Sequence, residues 1–336
     1  MKPRFLNIVL DTLSGCGWYC RGCYVRNANQ SFNEFEKIKK VIAECEADGL
    51  RVSCIRVGPT DVFSADNATS FLLDPRFIDL AKSPQTDLAF NTSLLENEGR
   101  ITEIIEILNR HYKKDYIHFN VVLNHKQIDH PAYLGKISEN IELIRKLSRN
   151  TVKFAPGINV EPSEEFLKED LSRVHRYAAQ AMPDLELELA INFTRRTETD
   201  PALVNRAFDV VNQIGLVTRM FNANNIECEN SFLNILWHEG KWHWAPNLYY
   251  EFANATDPRM EIRFNSYLEL LESFNQLFVS QYYQEGIECV NCEFQKLCSL
   301  RFIPAYMKIL NRARCVAPKT KMIECLRYAE AAPPNY

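Results

Sequence analysis

Apolar and polar positions along the first two thirds of the chain follow two alternating rhythms. Strand-length apolar runs recur at Phe5 to Leu10, Val52 to Gly58, Asp87 to Thr92, Tyr116 to Leu123, Val152 to Val160 and Leu185 to Phe193. Between them apolar residues return at helical spacing. Phe35, Ile38, Val41 and Ile42 continue to Gly49 behind Ser31-Phe-Asn-Glu34, a capping-box pattern. Further helices are predicted over Pro75 to Ala81, Ile101 to Tyr112, Ile137 to Leu147, Phe166 to Ala181 and Ala202 to Ile214. Regular strand–helix alternation implies parallel strands with crossover helices. No nucleotide-binding glycine fingerprint accompanies it. The pattern therefore predicts an α/β fold, a partial (β/α)6 TIM-like barrel rather than a doubly wound sheet. In parallel barrels chemistry collects at the carboxyl ends of the strands.

The last third reads differently. Phe232 to Trp237 and Trp242-His243-Trp244 predict a hairpin turning near Glu239-Gly240. Trp18, His238, Trp242 and His243 are candidates to face a cleft, although aromatics on a hairpin more often serve packing. Tyr267 to Tyr283 predicts a long helix with Leu268, Leu271, Phe274, Leu277 and Phe278 as its apolar stripe. The change in character suggests a barrel over residues 1–220 and a smaller C-terminal domain over 221–336.

Composition narrows the classes of function. The chain has 336 residues, 46% hydrophobic and 24% charged, enough for a large core and more than one simple domain. A net charge of -4 disfavours nucleic acid, because phosphate neutralisation needs surplus Lys and Arg. No apolar window is long enough to span a membrane, and Met1-Lys-Pro-Arg leads into a run too short for a secretory signal. A cytoplasmic location is expected. There, eleven cysteines read better as metal ligands than as disulfides.

Three of them, Cys16, Cys20 and Cys23, fall at spacing C-x3-C-x2-C just after the first strand. Three thiolates in one loop suit an iron–sulfur cluster. They leave one iron of a four-iron cluster open to a small molecule. A zinc site would want four ligands in a closed tetrahedron. This loop resembles that of the radical S-adenosylmethionine enzymes, although Gly22 stands where the family often has an aromatic residue. The resemblance implies a [4Fe-4S] cluster on Cys16, Cys20 and Cys23 whose open iron chelates S-adenosyl-L-methionine. It also implies cleavage of that cofactor to a 5′-deoxyadenosyl radical, which removes a substrate hydrogen. Tyr24 is a candidate for adenine contact. Gly58, Pro59, Thr60 and Asp61 occupy the place of the family's Gly-Gly-Glu-Pro stretch, without matching it literally. Gly157-Ile158 resembles the family's segment beside the adenine. Asn91, Thr92, Asn120 and Asn192 lie in or at the ends of predicted strands as further cofactor-binding candidates. A strand-end polar residue that merely satisfies a loop backbone is the plain alternative for each.

Cys289, Cys292 and Cys298 form a second motif, C-x2-C-x5-C, with Cys315 and Cys325 downstream. Together with Cys228 and the hairpin glycine Gly240, they resemble the SPASM and Twitch extensions of the same superfamily. Two SPASM cysteines are absent, with Ala245 and Phe302 in their places. The resemblance then implies one auxiliary [4Fe-4S] cluster on Cys289, Cys292, Cys298 and Cys315, or less readily Cys325. A zinc ribbon on the same four ligands is the alternative. Cys228 is a leftover ligand or a catalytic thiol that gives hydrogen to a substrate radical. Cys45 and Cys54 are expected in the core. The expected activity is modification of a ribosomally made peptide by crosslinking, thioether formation or epimerisation. The alternative is oxidation or rearrangement of a small molecule such as a sugar or aminoglycoside. A metal-structured binding module is a third reading. Flavodoxin or ferredoxin is the expected electron donor.

Overall fold

The computed structural model describes residues 5–16, 31–123, 131–160, 166–168, 171–185, 188–191, 232–244 and 261–280, with single positions 164, 203 and 206. A parallel sheet forms its centre. The strands are β1 (Phe5–Asp11), β2 (Arg51–Asp61), β3 (Asp87–Thr92), β4 (Ile117–Leu123), β5 (Val152–Val160) and β6 (Glu188–Ile191). The hairpin strands β7 (Phe232–His238) and β8 (Lys241–Trp244) and a short β9 (Glu261–Ile262) complete it. The nine strands run in the order β6-β5-β4-β3-β2-β1-β7-β8-β9. The crossover helices are α1 (Phe35–Ala47), α2 (Ala68–Leu72), α3 (Pro75–Leu80), α4 (Glu98–His111), α5 (Pro131–Leu147) and α6 (Leu171–Ala181). The long helix is α7 (Tyr267–Ser280). This is the partial barrel that the alternation predicts.

Register sorts the side chains into two faces, because successive strand residues point to opposite sides. Leu6, Ile8 and Leu10 lie level with Val52, Ile55 and Val57 on one side and Leu233, Ile235 and Trp237 on the other. All nine are buried in the core shared with the helices. Full burial of such a side chain stabilises by about 1.5–3 kcal/mol. The second face carries Asn7, Val9 and Asp11 beside Cys54, Arg56 and Gly58. β4 shows the division residue by residue, its buried Ile117, Phe119, Val121 and Leu123 alternating with half-buried His118, Asn120 and Val122. Cys54 therefore lies half-buried on the polar face rather than in the core, whereas Cys45 is buried as expected.

Several local expectations give way to tertiary partners. The capping box at Ser31 and Glu34 does not form: Glu34 itself stands at the N-cap of α1 and makes no side-chain cap bond. Its carboxylate accepts from Trp242 Nε1, and the Ser31 carbonyl accepts from Trp237 Nε1 at 2.9 Å. The hairpin is thereby fastened over the start of α1. The helix predicted over Phe166 to Ala181 divides into a 3-10 turn at Phe166–Lys168 and α6. The hairpin turn is as predicted, with positive φ at both Glu239 (47°) and Gly240 (80°). β7, however, pairs in parallel with β1, so the hairpin extends the barrel sheet. The long helix is tied to α1 by Tyr267 N–H donating to Glu44 at 2.7 Å.

Candidate functional site at the carboxyl ends of the strands

β1 ends at Asp11 and Cys16 follows five residues later, so the first cysteine of the loop lies beyond the carboxyl end of the first strand. Cys16 is half-buried and in no disulfide. Cys45 differs: burial pushes its thiol up to about 12, which keeps it protonated and inert. Cys20, Cys23, Tyr24, Asn192, Cys228, Cys289, Cys292, Cys298 and Cys315 lie outside the described residues. Among the described residues no group of three His, Cys, Asp or Glu side chains converges as a metal site.

The stretch Gly58 to Asp61 is not a simple strand end. Val57 is level with Phe90 but Asp61 with Asn91, so Gly58, Pro59 and Thr60 bulge out of the ladder. The Gly58 carbonyl faces β1 and accepts from Thr12 and Leu13 N–H, both at 2.8 Å. Asn91 fills the bulge. Its Nδ2 donates to the Pro59 carbonyl at 3.1 Å, and its Oδ1 accepts from Arg56 Nη2 at 2.8 Å. Asp61 organises the next two loops. Its Oδ1 accepts from Phe63 N–H at 2.9 Å, and its Oδ2 from Ser93 N–H and Oγ at 2.6 and 2.5 Å. Burial raises its pKa, against the lowering effect of those bonds. Both of its oxygens are thus engaged by the protein. Thr92 Oγ1 accepts from Leu94 N–H at 2.9 Å, where Leu94 is held at φ 55°.

The other candidates are spread across the same end of the sheet. Thr60 is buried, and its hydroxyl has no partner among the described residues. Asn120 lies level with Asn91 on the polar face, half-buried. Gly157 is level with Val122 of β4 and Glu188 of β6. The Ile158 side chain is fully buried in the core. The structure thus links Pro59, next to Gly58, directly to Asn91, and sets Asp61 and Thr92 at the ends of β2 and β3 beside them.

Asp11, not assigned from the sequence, joins them together with His238 and His243. Asp11 Oδ2 lies 2.8 Å from Nδ1 of His238, and both groups are buried. Burial raises the Asp11 pKa, opposed by His238 and Arg56. His243 stands 6.4 Å from His238 between ring centres. Burial first, then the neighbouring His238, brings the His243 pKa down to about 4. His238 and His243 are both buried, whereas Asp11 had one signal only: a carboxylate closing an apolar strand. Asp66 and Asn67, before α2, hold the loop that leads to Cys16.

A parallel sheet with a cysteine loop at the end of its first strand defines a partial barrel of the class that works at its strand ends. No family model matches the chain, and no curated protein does. Among solved structures it is similar to polyhistidine-tagged anSMEcpe with bound AdoMet, with 11% identity, 97% of each chain covered and a TM-score of 0.54. Another similar structure is Streptococcus suis SuiB bound to precursor peptide SuiA, at 11% identity, covering 89% of this chain and 71% of that one with a TM-score of 0.46. The chain shares the fold of the AdoMet-bound anSMEcpe structure.

Proposed function

We propose that the protein is a radical S-adenosylmethionine enzyme that removes a hydrogen atom from a peptide substrate. The observation that carries the reading is the position of Cys16 at the strand end of this fold. Cys16, Cys20 and Cys23 would hold a [4Fe-4S] cluster, and the chemistry of the set fits, since three thiolates leave one iron open. When bound, that cluster supplies the electron that cleaves S-adenosylmethionine into methionine and a 5′-deoxyadenosyl radical. The protein binds, orients and excludes water. The bulge at Gly58 and Pro59, braced by Asn91, offers backbone groups to the cofactor beside the cysteine loop. The buried Thr60 hydroxyl and the half-buried Asn120 are the side chains we assign to it. Asp61 shapes the loops through Phe63 and Ser93 and keeps its cofactor-binding role in this reading through the acceptor capacity its oxygens retain. Tyr24, Thr92, Gly157, Ile158 and Asn192 keep cofactor-binding roles in this reading, Ile158 through its backbone.

The C-terminal cysteines complete the proposal. One auxiliary cluster on Cys289, Cys292, Cys298 and Cys315 sits in a domain over 221–336, with flavodoxin or ferredoxin as electron donor. Its SPASM-like motif supports a peptide substrate. Anaerobic reconstitution tests both sites: about eight irons are expected, as two four-iron clusters. Zinc at the second site would remove the auxiliary half of the proposal. Deoxyadenosine formed faster with candidate peptides than with sugars or aminoglycosides supports the substrate class, and the reverse order rejects it.

A further inference from the structure

The residues before Cys16 are held as if in a strand, yet part of their partner is a side chain. The Thr12 and Leu13 amides reach the Gly58 carbonyl of β2. Beyond that point Asn67 takes the neighbour's place. Its Oδ1 accepts from Ser14 N–H at 2.9 Å, and its Nδ2 donates to the Thr12 carbonyl at 2.7 Å. Asp66 N–H adds a bond to the Ser14 carbonyl at 2.9 Å. Gly15 then turns at φ 81°, where a Cβ would stand 1.9 Å from Asp66 Oδ2. Only glycine suits that position.

Asn67 also occupies the N-cap of α2, a position asparagine favours because its side chain accepts from first-turn amides. Here it makes no such bond. The helix forgoes its cap, and the side chain is spent on the loop. We propose that Asn67 is a positioning residue for the cysteine loop, presenting Cys16 in one place before iron arrives. A ligand set ordered in advance loses less conformational freedom on binding. The inference rests on reading Cys16, Cys20 and Cys23 as cluster ligands.

Asn109 supplies the control. It makes the same pair of bonds at the opposite end of the barrel, with Nδ2 donating to the Leu147 carbonyl at 2.9 Å and Oδ1 accepting from Arg149 N–H at 2.7 Å. In the iron-free protein, Asn67→Ala should speed hydrogen exchange at the Ser14 amide about tenfold, and Asn109→Ala should not. In the reconstituted protein, Asn67→Ala should release iron to a chelator about tenfold faster than Asn109→Ala at similar melting temperature. Asn67→Asp keeps the acceptor for Ser14 but loses the donor to Thr12, and should fall between. Wild-type exchange and iron release in Asn67→Ala, or equal effects from Asn109→Ala, would overturn the inference alone. A wild-type protein that takes up no cluster would overturn the functional reading and the role of Asn67 with it.

Discussion

The two faces of the central sheet obey different rules. Toward the helices, β1 presents Leu6, Ile8 and Leu10, all fully buried and matched level by level with aliphatic neighbours. On the other face the same strand presents Asn7 and Asp11, engaged with Asn234 at 2.8 Å and His238 at 2.8 Å. The first face is fixed by area removed from water, which any well-packed apolar set can supply. The second is fixed by particular partners, and each buried polar group there costs free energy when its partner is lost. Stability and chemistry are thus separated across one sheet, and each can be attacked without the other.

The largest effect comes from the chemical side. Changing Cys16, Cys20 and Cys23 together to Ala should remove one cluster and all cleavage of S-adenosylmethionine, while the circular dichroism spectrum and unfolding transition persist. Retained deoxyadenosine formation would place the chemistry elsewhere. The apolar side gives the converse. Ile8→Ala should lower stability by about 2–5 kcal/mol in urea unfolding and leave iron per folded molecule unchanged. A selective loss of iron would break the separation of faces.

The polar face should also write itself into the pH dependence. Its His243 is neutral down to about 4 in the folded chain but titrates at the ordinary 6.5 when unfolded. Between those values the unfolded state binds the extra proton, so stability falls as pH drops from 6.5 toward 4. Asp11, with a raised pKa, acts in the opposite direction above its ordinary value of 3.8. The contribution of His243 is therefore read as a difference. In urea unfolding, the stability of wild type relative to His243→Gln should fall as pH drops through that window, by up to about 3 kcal/mol. Parallel curves would deny that His243 is held neutral. The smallest effect is expected at Cys228→Ala, which should leave iron content unchanged; a loss of iron would restore Cys228 as a ligand.

The helix-facing side was legible because local rhythm and burial coincide. Phe35, Ile38, Val41 and Cys45 repeat at helical spacing and all are buried. The turn at Glu239-Gly240 was legible for the same reason, since its geometry is set by two residues. What escaped was decided at long range. Nothing in the apolar run Phe232 to Trp237 says that it will pair in parallel with Phe5 to Leu10. The Ser31–Glu34 capping signal was genuine as a local preference, but Trp237 and Trp242 from the hairpin outcompeted it. At the site, Gly58 to Asp61 was legible as the end of the second strand, but its bulge was not. The bulge there is braced by Asn91 from the next strand, whose Nδ2 donates to the Pro59 carbonyl. Asn67 stands at the N-cap of α2, but its side chain bonds Ser14 and Thr12 instead, a long-range choice.

One measurement bears most directly on the account. Anaerobically reconstituted protein, reduced in the presence of S-adenosylmethionine, should release methionine and 5′-deoxyadenosine in equal amounts. That product should disappear in the triple cysteine variant. A reconstituted, reduced protein that leaves S-adenosylmethionine intact would contradict the proposal that this strand-end loop is a radical-generating site.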